Sequence, residues 1–413
     1  LTLIHSPLLA RHSWFDGSRL DLHADLEASV EAIRAFSGGC DAEAYRAFVR
    51  ESGRIFDTLD RPFMRASRPG PLLLAGRVGL TGLPALLATR PFVSLWKALE
   101  QRFRDPRLRQ LFGRYATYTG SSPFLAPATL MLISEAERRG VYQVEGGMHA
   151  LAAALRELIL QLGGEIRTGA RVERILVEHG RVAGVRLAGG ERLRASSVVF
   201  NGDVAALREG LLGPEVVAAI PRTGLRGSRS LSAVTWGMVA SVTGWPLAHH
   251  TVLFGDDYRE EFDAIFRRGE VAASPTLYLC AQDRVGVEQR TASGAERLFC
   301  LLNAPSGGLD EDQVQACETA LQRAFLRHGL SIEGLQGVPW RQTPGDFAAL
   351  FPATEGALYG RATHGWMGSF SRLGSRTRLP GLHLAGASVH PGAGVPMATL
   401  SGQRAAEAVL ADG

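Results

Sequence analysis

The sequence predicts an α/β fold of the nucleotide-binding type, split by an inserted α+β segment. Three stretches predict it. Residues 145–203 run helix, strand, small meander and returning strand, the order of a crossover unit. Residues 213–360 carry recurrent short strands around one long helix. Residues 381–413 pass from a buried strand through a glycine-rich loop into a closing helix. The division that follows is 1–140, a helical cap region on the substrate side; 141–212, the second segment of the nucleotide-binding domain; 213–362, the α+β substrate domain; and 363–413, the C-terminal segment of the nucleotide-binding domain.

The 413 residues are enough for more than one domain, and 46% apolar with 21% charged residues is a globular composition. Forty-five basic residues nearly balance 41 acidic ones, for a net charge of +4. The arginines are scattered and form no stripe with interleaved aromatics, so no nucleic-acid partner is expected. The slight positive excess leaves room for a peripheral contact with an anionic membrane surface. Cys40, Cys280, Cys300 and Cys317 form no CxxC pair, so no metal site is expected. Cys280 and Cys300 lie in apolar runs and read as buried core thiols, which fits a reducing, cytoplasmic setting. No uninterrupted apolar stretch reaches ~18 residues, so no spanning helix is predicted.

Two apolar runs around Asp16-Gly17 predict an opening hairpin. The chain begins directly in strand-like sequence at Leu1, so an upstream segment is expected. Asp25 is placed to cap a helix carrying Leu26, Val30, Ile33 and Ala35. Asp41 is placed to cap the next, with Tyr45, Phe48, Val49 and Phe56 on one face. Residues 71–112 are leucine-rich, but glycine and proline break them into short helices and Arg77, Arg90 and Lys97 punctuate them. They suit an apolar channel, a membrane-surface contact or plain core packing.

Glu145-Gly146-Gly147 precede a helix from Met148 to Leu162, stopped by Gly163-Gly164. Strands are expected at 165–168, 172–178, 182–187, 191–193 and 197–200, the last ending at Asn201-Gly202-Asp203. Further strands are expected at 233–242, 251–254, 276–281 and 298–303, with a helix over 311–328. Leu382–Ala385 reads as one more buried strand. A loop with Gly386, Gly392 and Gly394 follows, then a helix from Pro396 to Leu410 with Ala398, Ser401, Gly402 and Ala405 on one face. Small residues and glycines let backbone lie close to a flat ligand, and a helix N-terminus favours negative charge there. An ordinary strand–turn–helix has the same composition. No G-x-G-x-x-G occurs; the nearest strings are Gly76-x-x-Gly79-x-x-Gly82 and Gly392-Ala-Gly394.

Longer strings carry a family resemblance. GASVHPGAGVPMATLSGQRAA is similar to the C-terminal flavin signature of the carotenoid desaturases of the phytoene-dehydrogenase type. VYQVEGGMHALAAALRELILQLGGEIRTGARVERI is similar to their second dinucleotide-domain motif. HHTVLFGDDYREEF, SPTLYLCAQDR and LFCLLNAPSGG resemble their substrate-domain strands. YATYTGSSPFLAPATLMLI with HLAGASVHPGAGVPMATLSG comes nearest to the bacterial 1-hydroxycarotenoid 3,4-desaturases, also called methoxyneurosporene dehydrogenases.

The resemblance implies a glutathione-reductase-like, FAD/NAD(P)-binding Rossmann-type flavoprotein fold, akin to the amine oxidases, with its first βαβ unit missing. It implies FAD and a long acyclic, 1-hydroxylated carotenoid in which a C–C bond is oxidised to C=C. A hydride passes to flavin N5 and a proton leaves the adjacent carbon. Val172 then meets the adenine, and Asn201-Gly202-Asp203 end a strand near the cofactor. Gly386 and Ala387 approach the pyrophosphate and ribityl chain, and Gly394, Val395, Pro396 and Met397 stand at the ring. Glu145, Gly147 and Met148 open toward the substrate, with Trp236 beside it. An insoluble substrate implies a peripheral membrane enzyme; the electron acceptor is not indicated. The alternatives are another polyene desaturase, an isomerase or saturase, an amine-oxidase-like flavoenzyme, or an inactive fragment that binds a hydrophobic partner.

Among single residues, His390 is the candidate catalytic base, with fixing of the loop 388–394 as its structural alternative. His149 reads as structural. His249 and His250 resemble a metal pair, but neighbours on a strand face opposite ways. Trp236, Trp245, Trp366 and Phe370 suit either a polyene or a core. Glu311-Asp312 complement a helix N-terminus.

Overall fold

A computed structural model describes residues 1–68, 70–222, 227–289 and 294–412. The chain opens with β1 (Leu3–His5), β2 (Leu8–Ser13) and β3 (Arg19–His23). β2 and β3 pair antiparallel across the Asp16-Gly17 turn, as expected, with Gly17 at φ 79°. α1 (Leu26–Ser37) is capped by Asp25, whose carboxylate accepts from the Ala28 N–H at 2.8 Å. α2 (Gly39–Leu59) already includes Asp41, so Asp41 does not cap it. Its buried carboxylate instead accepts from the N–H groups of Arg104 and Asp105, at 2.8 and 3.1 Å, and ties down the turn between two later helices.

α3 (Pro71–Ala88) is the apolar stretch, broken at Gly79 where φ 66° and ψ −179° leave the helical region. α4 (Leu95–Glu100), α5 (Pro106–Gly113) and α6 (Leu132–Arg138) complete the helical layer. Its core is aromatic: Phe112 stacks at 4.8 Å from Phe48 and 5.0 Å from Phe103, all three buried. β4 (Tyr142–Val144) returns to pair with β1.

α7 (Met148–Gln161) is followed by the meander β5 (Val172–Glu178), β6 (Arg181–Leu187) and β7 (Arg192–Arg194), then by β8 (Val198–Phe200). The strand expected at 165–168 is absent. Glu165 and Arg167 pair with each other in solvent at 2.6 Å and Arg167 reaches Glu191 at 2.8 Å, so the segment has no sheet partner. α7 buries none of its side chains, and Leu155 and Leu162 are 54% and 79% exposed. α8 (Val204–Arg208) is capped by Asp203, which accepts from the Ala205 N–H at 2.8 Å.

The inserted segment supplies β9 (Ser232–Thr243), β10 (His250–Leu253), α9 (Tyr258–Asp263), β11 (Leu277–Ala281), β12 (Glu296–Ala304), α10 (Glu311–Arg327), β13 (Ser331–Glu333), β14 (Trp340–Gln342) and α11 (Pro344–Leu350). Eight strands form one sheet in the order β13-β9-β12-β11-β10-β2-β3, with β14 also on β9. The opening hairpin therefore belongs to the sheet of the inserted segment: β2 lies parallel to β10, with Arg11 opposite Thr251.

Alternation along β12 sends Leu298, Cys300 and Leu302 toward Cys317, Leu321 and Phe325 of α10. Trp236 stands opposite Cys300 in the β9–β12 register, so it shares that face. It is 3% exposed and packed in this core, where the expectation had it beside the substrate. Cys300 is buried as expected, whereas Cys280 is only partly so. Asp310 and Gln313 form a capping box on α10, and Glu311 and Asp312 occupy its first turn. The chain closes with β15 (Leu382–Leu384) and α12 (Val395–Asp412).

Candidate active site

β15 and β8 are parallel neighbours, with Leu382 opposite Val198 and Leu384 opposite Phe200. Both strands end on the same edge, so the loops that follow them face each other. Ligands of open α/β sheets bind at this edge. Gly386, at φ 112°, lies so close to Asn201 that a Cβ there would come within 2.4 Å of the Asn201 Oδ1. Its N–H donates to the Ser401 Oγ at 3.1 Å, which holds α12 against the strand end. Ser388 Oγ donates to the Gly202 carbonyl at 3.4 Å. Thus Asn201, Gly202, Asp203, Gly386 and Ala387 are brought together. Gly394, Val395, Pro396 and Met397 form the start of α12 beside them. Ala398 N–H bonds Gly394 O at 2.9 Å, the N–H groups of Val395 and Met397 meet no backbone carbonyl among the described residues, and Val395 is 57% exposed.

A glycine loop without side chains, free N–H groups and an exposed apolar residue at a helix start fit one side of a flavin site. Val172 begins β5 opposite Leu187, in the adjoining meander. Glu145 and Met148 are exposed and His149 stands on the same exposed turn; none of the three lines a cavity, though Val141, just upstream, does.

Two buried groups fix this loop. His390 is 2% exposed, with its Nε2 at 2.9 Å from the Phe63 carbonyl, and burial pushes it down to about 4, so it is neutral. Its Nδ1 has no partner among the described residues. Arg372 was not anticipated from the sequence. Its guanidinium is buried, which pushes it down to about 10, and it donates to the carbonyls of Ala387 at 2.6 Å, Tyr359 at 3.1 Å and Arg361 at 3.0 Å. Arginine in a sequence otherwise rich in scattered surface arginines carries no mark that would have singled it out.

A cavity of about 360 Å³ opens from Gly394 across the sheet. Leu9, Val141, Leu231, Val252, Leu301 and Leu358 make it mainly apolar. Its polar groups are Arg114, Tyr118, Glu137, His250, Tyr258, Tyr278, Thr276 and Asn303. Tyr278 Oη and His250 Nδ1 are hydrogen-bonded at 2.7 Å, and burial holds His250 neutral, down to about 3. A second apolar cavity, also about 360 Å³, lies between α3 and the segment bearing Trp366 and Phe370, with Phe63 in its wall. Two of the four flagged aromatics therefore line a cavity; Trp245 instead donates to the His328 carbonyl at 2.7 Å.

His249 and His250 do not point apart. His249 precedes β10, so strand alternation does not govern it, and the two rings stand edge to face at 4.5 Å. With Cys280 Sγ at 3.5 Å from His249 Nε2, the three residues bring their ligand atoms within 4.8 Å. Burial pushes the Cys280 thiol up to about 11, so the group presents a thiol and two neutral rings.

The family model for flavin containing amine oxidoreductase matches residues 93–410. The chain belongs to this family. It is an FAD-dependent oxidoreductase. Hydroxyneurosporene desaturase from Rubrivivax gelatinosus is 49% identical over 98% of this chain and 78% of its own length. The protein of the same name from Cereibacter sphaeroides is 48% identical over 100% of this chain and 82% of its own length. Among solved structures, an oxidoreductase from Methanosarcina mazei shares the fold, with a TM-score of 0.58 at 15% identity over 98% of this chain and 82% of that one.

Proposed function

We propose that this chain introduces a C=C bond into the hydroxyl-bearing end of a long acyclic carotenoid. The observation that carries the reading is the near-complete match to two hydroxyneurosporene desaturases at 48–49% identity. The apolar cavity that begins at Gly394 supports it, because its volume lies near the low end of the roughly 300–1,000 Å³ of ligand sites and so takes one end of a long chain.

FAD, when bound, accepts the hydride. In this reading Gly386 and Ala387 would approach its pyrophosphate and ribityl chain, Asn201, Gly202 and Asp203 would end the strand near it, Val172 would meet the adenine, and Val395, Pro396 and Met397 would sit beside the ring. The start of α12 favours the negative charge of the reduced ring. The cavity walls exclude water and hold the reacting bond in register. His390, neutral and bonded to a backbone carbonyl, is assigned to holding the loop. Catalysis then rests on positioning, without a dedicated strong base.

The substrate dissolves in membranes, so the enzyme works at a membrane surface on the cytoplasmic side. α3 supports this: Leu72 and Leu80 are each 87% exposed, Leu87 is 65% exposed, and the apolar cavity lies directly beneath. Its break at Gly79 favours lying on the bilayer over crossing it.

The test is incubation of the FAD-loaded protein with hydroxyneurosporene in lipid vesicles. The expected result is a longer conjugated chromophore, seen as a red-shifted absorbance. No new double bond would overturn the reading. Leu72→Asp with Leu80→Asp is expected to lower vesicle co-sedimentation; unchanged sedimentation would remove α3 from the membrane contact.

A further inference from the structure

One group in the cavity is not explained by holding a hydrocarbon. Arg114 follows α5 and lines the apolar chamber. Its Nη2 donates to the Tyr118 hydroxyl at 2.9 Å, and that hydroxyl donates on to Glu137 Oε1 at 2.7 Å. Glu137 Oε2 accepts a second phenol, Tyr115, at 2.8 Å. Arg114 and Glu137 make no direct ion pair; Tyr118 stands between them. The Arg114 Nε is buried without a partner, and its Nη1 makes no hydrogen bond among the described residues. Tyr258, 6% exposed, has its hydroxyl buried in the same chamber and likewise unpartnered.

Buried polar groups in native proteins are almost always paired, and an unpaired one costs roughly 1–3 kcal/mol, more when charged. Among the described residues with such atoms, Arg114 and Tyr258 are the two that line this apolar chamber. They are donors waiting for an acceptor that the protein does not supply. The acceptor's charge follows from the neighbours. Glu137 balances Arg114 through Tyr118, and His250 is neutral, so the chamber has no net positive charge to offer a carboxylate or phosphate. A neutral oxygen on an otherwise apolar molecule is the acceptor that fits this charge balance.

We infer that Arg114 and Tyr258, set by Tyr118 and Glu137, form a subsite that binds the terminal hydroxyl of the substrate and selects hydroxylated carotenoid ends over hydrocarbon ends. The inference rests on the proposed function, and it adds the residues that determine specificity. It also places the reaction. A hydroxyl on the first chain carbon lies only two or three bonds from a reacting bond near the same end. A single anchor there sets that bond against the cofactor while the rest of the polyene extends outward.

A built hydrogen-bonding site discriminates steeply against the analogue that lacks the group, because its donors are then left unpaired. The test uses the FAD-loaded protein, with hydroxyneurosporene and neurosporene presented in the same detergent micelles. Kd is read by quenching of tryptophan fluorescence and kcat/KM by absorbance. The wild type is expected to bind the hydroxylated compound at least ~10-fold more tightly. Tyr258→Phe and Arg114→Met are expected to weaken that binding ~10-fold while leaving neurosporene within about two-fold. Circular dichroism shows that each variant folds, and Leu326→Ala, on the exposed face of α10, serves as the control that leaves the preference intact. Equal Kd values in the wild type, or a preference surviving in both variants, would overturn the subsite. If neither compound is converted yet the Kd preference follows these variants, the desaturase reading fails and the subsite stands.

Discussion

Arg372 Nη1 donates to the carbonyl oxygen of Ala387 at 2.6 Å, so a buried cation ahead of β15 clamps the glycine loop that follows it. Two more carbonyls, of Tyr359 and Arg361, converge on its Nη2. The loop between β15 and α12 thus takes its shape from outside itself.

Replacing Arg372 tests that clamp. Arg372→Met leaves three buried carbonyls without their donor, at a cost of roughly 1–3 kcal/mol for each left dry. The expected outcome is a urea midpoint well below wild type and FAD affinity reduced by about tenfold or more. Arg372→Lys, with one donor cluster instead of a fork, falls between. Titration of FAD by its own fluorescence measures this; wild-type affinity in Arg372→Met would mean that the loop holds its shape unaided.

Acid is expected to weaken the fold through histidine. Burial pushes His12 and His250 down to about 3, and His328, His364 and His390 down to about 4. In the unfolded chain each titrates near ~6.5. Between that value and the folded values the unfolded state binds more protons, so stability is complete above about pH 6.5 and declines as pH falls toward about 4. The slope reaches ~1.4 kcal/mol per pH unit for each histidine. Urea midpoints measured from about pH 7 to about pH 5 should fall steadily, and His12→Gln should flatten the fall. A level profile would contradict the burial of these rings.

A third prediction concerns Arg284 and Glu296, a buried pair joined through two bonds of 2.7 and 2.6 Å. Side-chain exposures are 8% and 0%. Breaking it with Arg284→Met strands a carboxylate and is expected to cost about 3–5 kcal/mol. Adding Glu296→Leu should restore part of that stability, because no charge is then left unpaired, while the Leu247 and Val287 carbonyls still lack their Arg284 donor. Chemical denaturation of the two variants decides it. No recovery in the double variant would mean that packing, not charge, was lost.

Much of the architecture was legible because it rests on local pattern. The β12 run from Leu298 and the α10 cap at Asp310 are written in period and capping residues. So is the glycine loop between β15 and α12. What stayed hidden depends on partners distant in sequence. Trp236 is β-strand sequence either way; only its register against Cys300 decides which face it takes. Asp41 looks like the cap of its own helix, yet it serves Arg104 and Asp105, some sixty residues on. His249 escaped the alternation rule because the strand starts one residue later. Arg114 and Arg372 read as solvent charges, since nothing local announces that the chain will bury them.

The pairing of β2 with β10 has a consequence for how the chain is made. Beyond its pairing with Asp21 in the hairpin, Arg11 must wait for Thr251, 240 residues later, before the other edge of β2 is covered. At ~5–20 residues per second that delay is on the order of tens of seconds on the ribosome. Throughout it the β2–β3 hairpin, with Leu8, Ala10, Leu20 and Leu22, offers an apolar face and an open edge to other nascent chains. Residues 8–23 are therefore a natural client for ribosome-associated holdases, and slower translation lengthens the exposure.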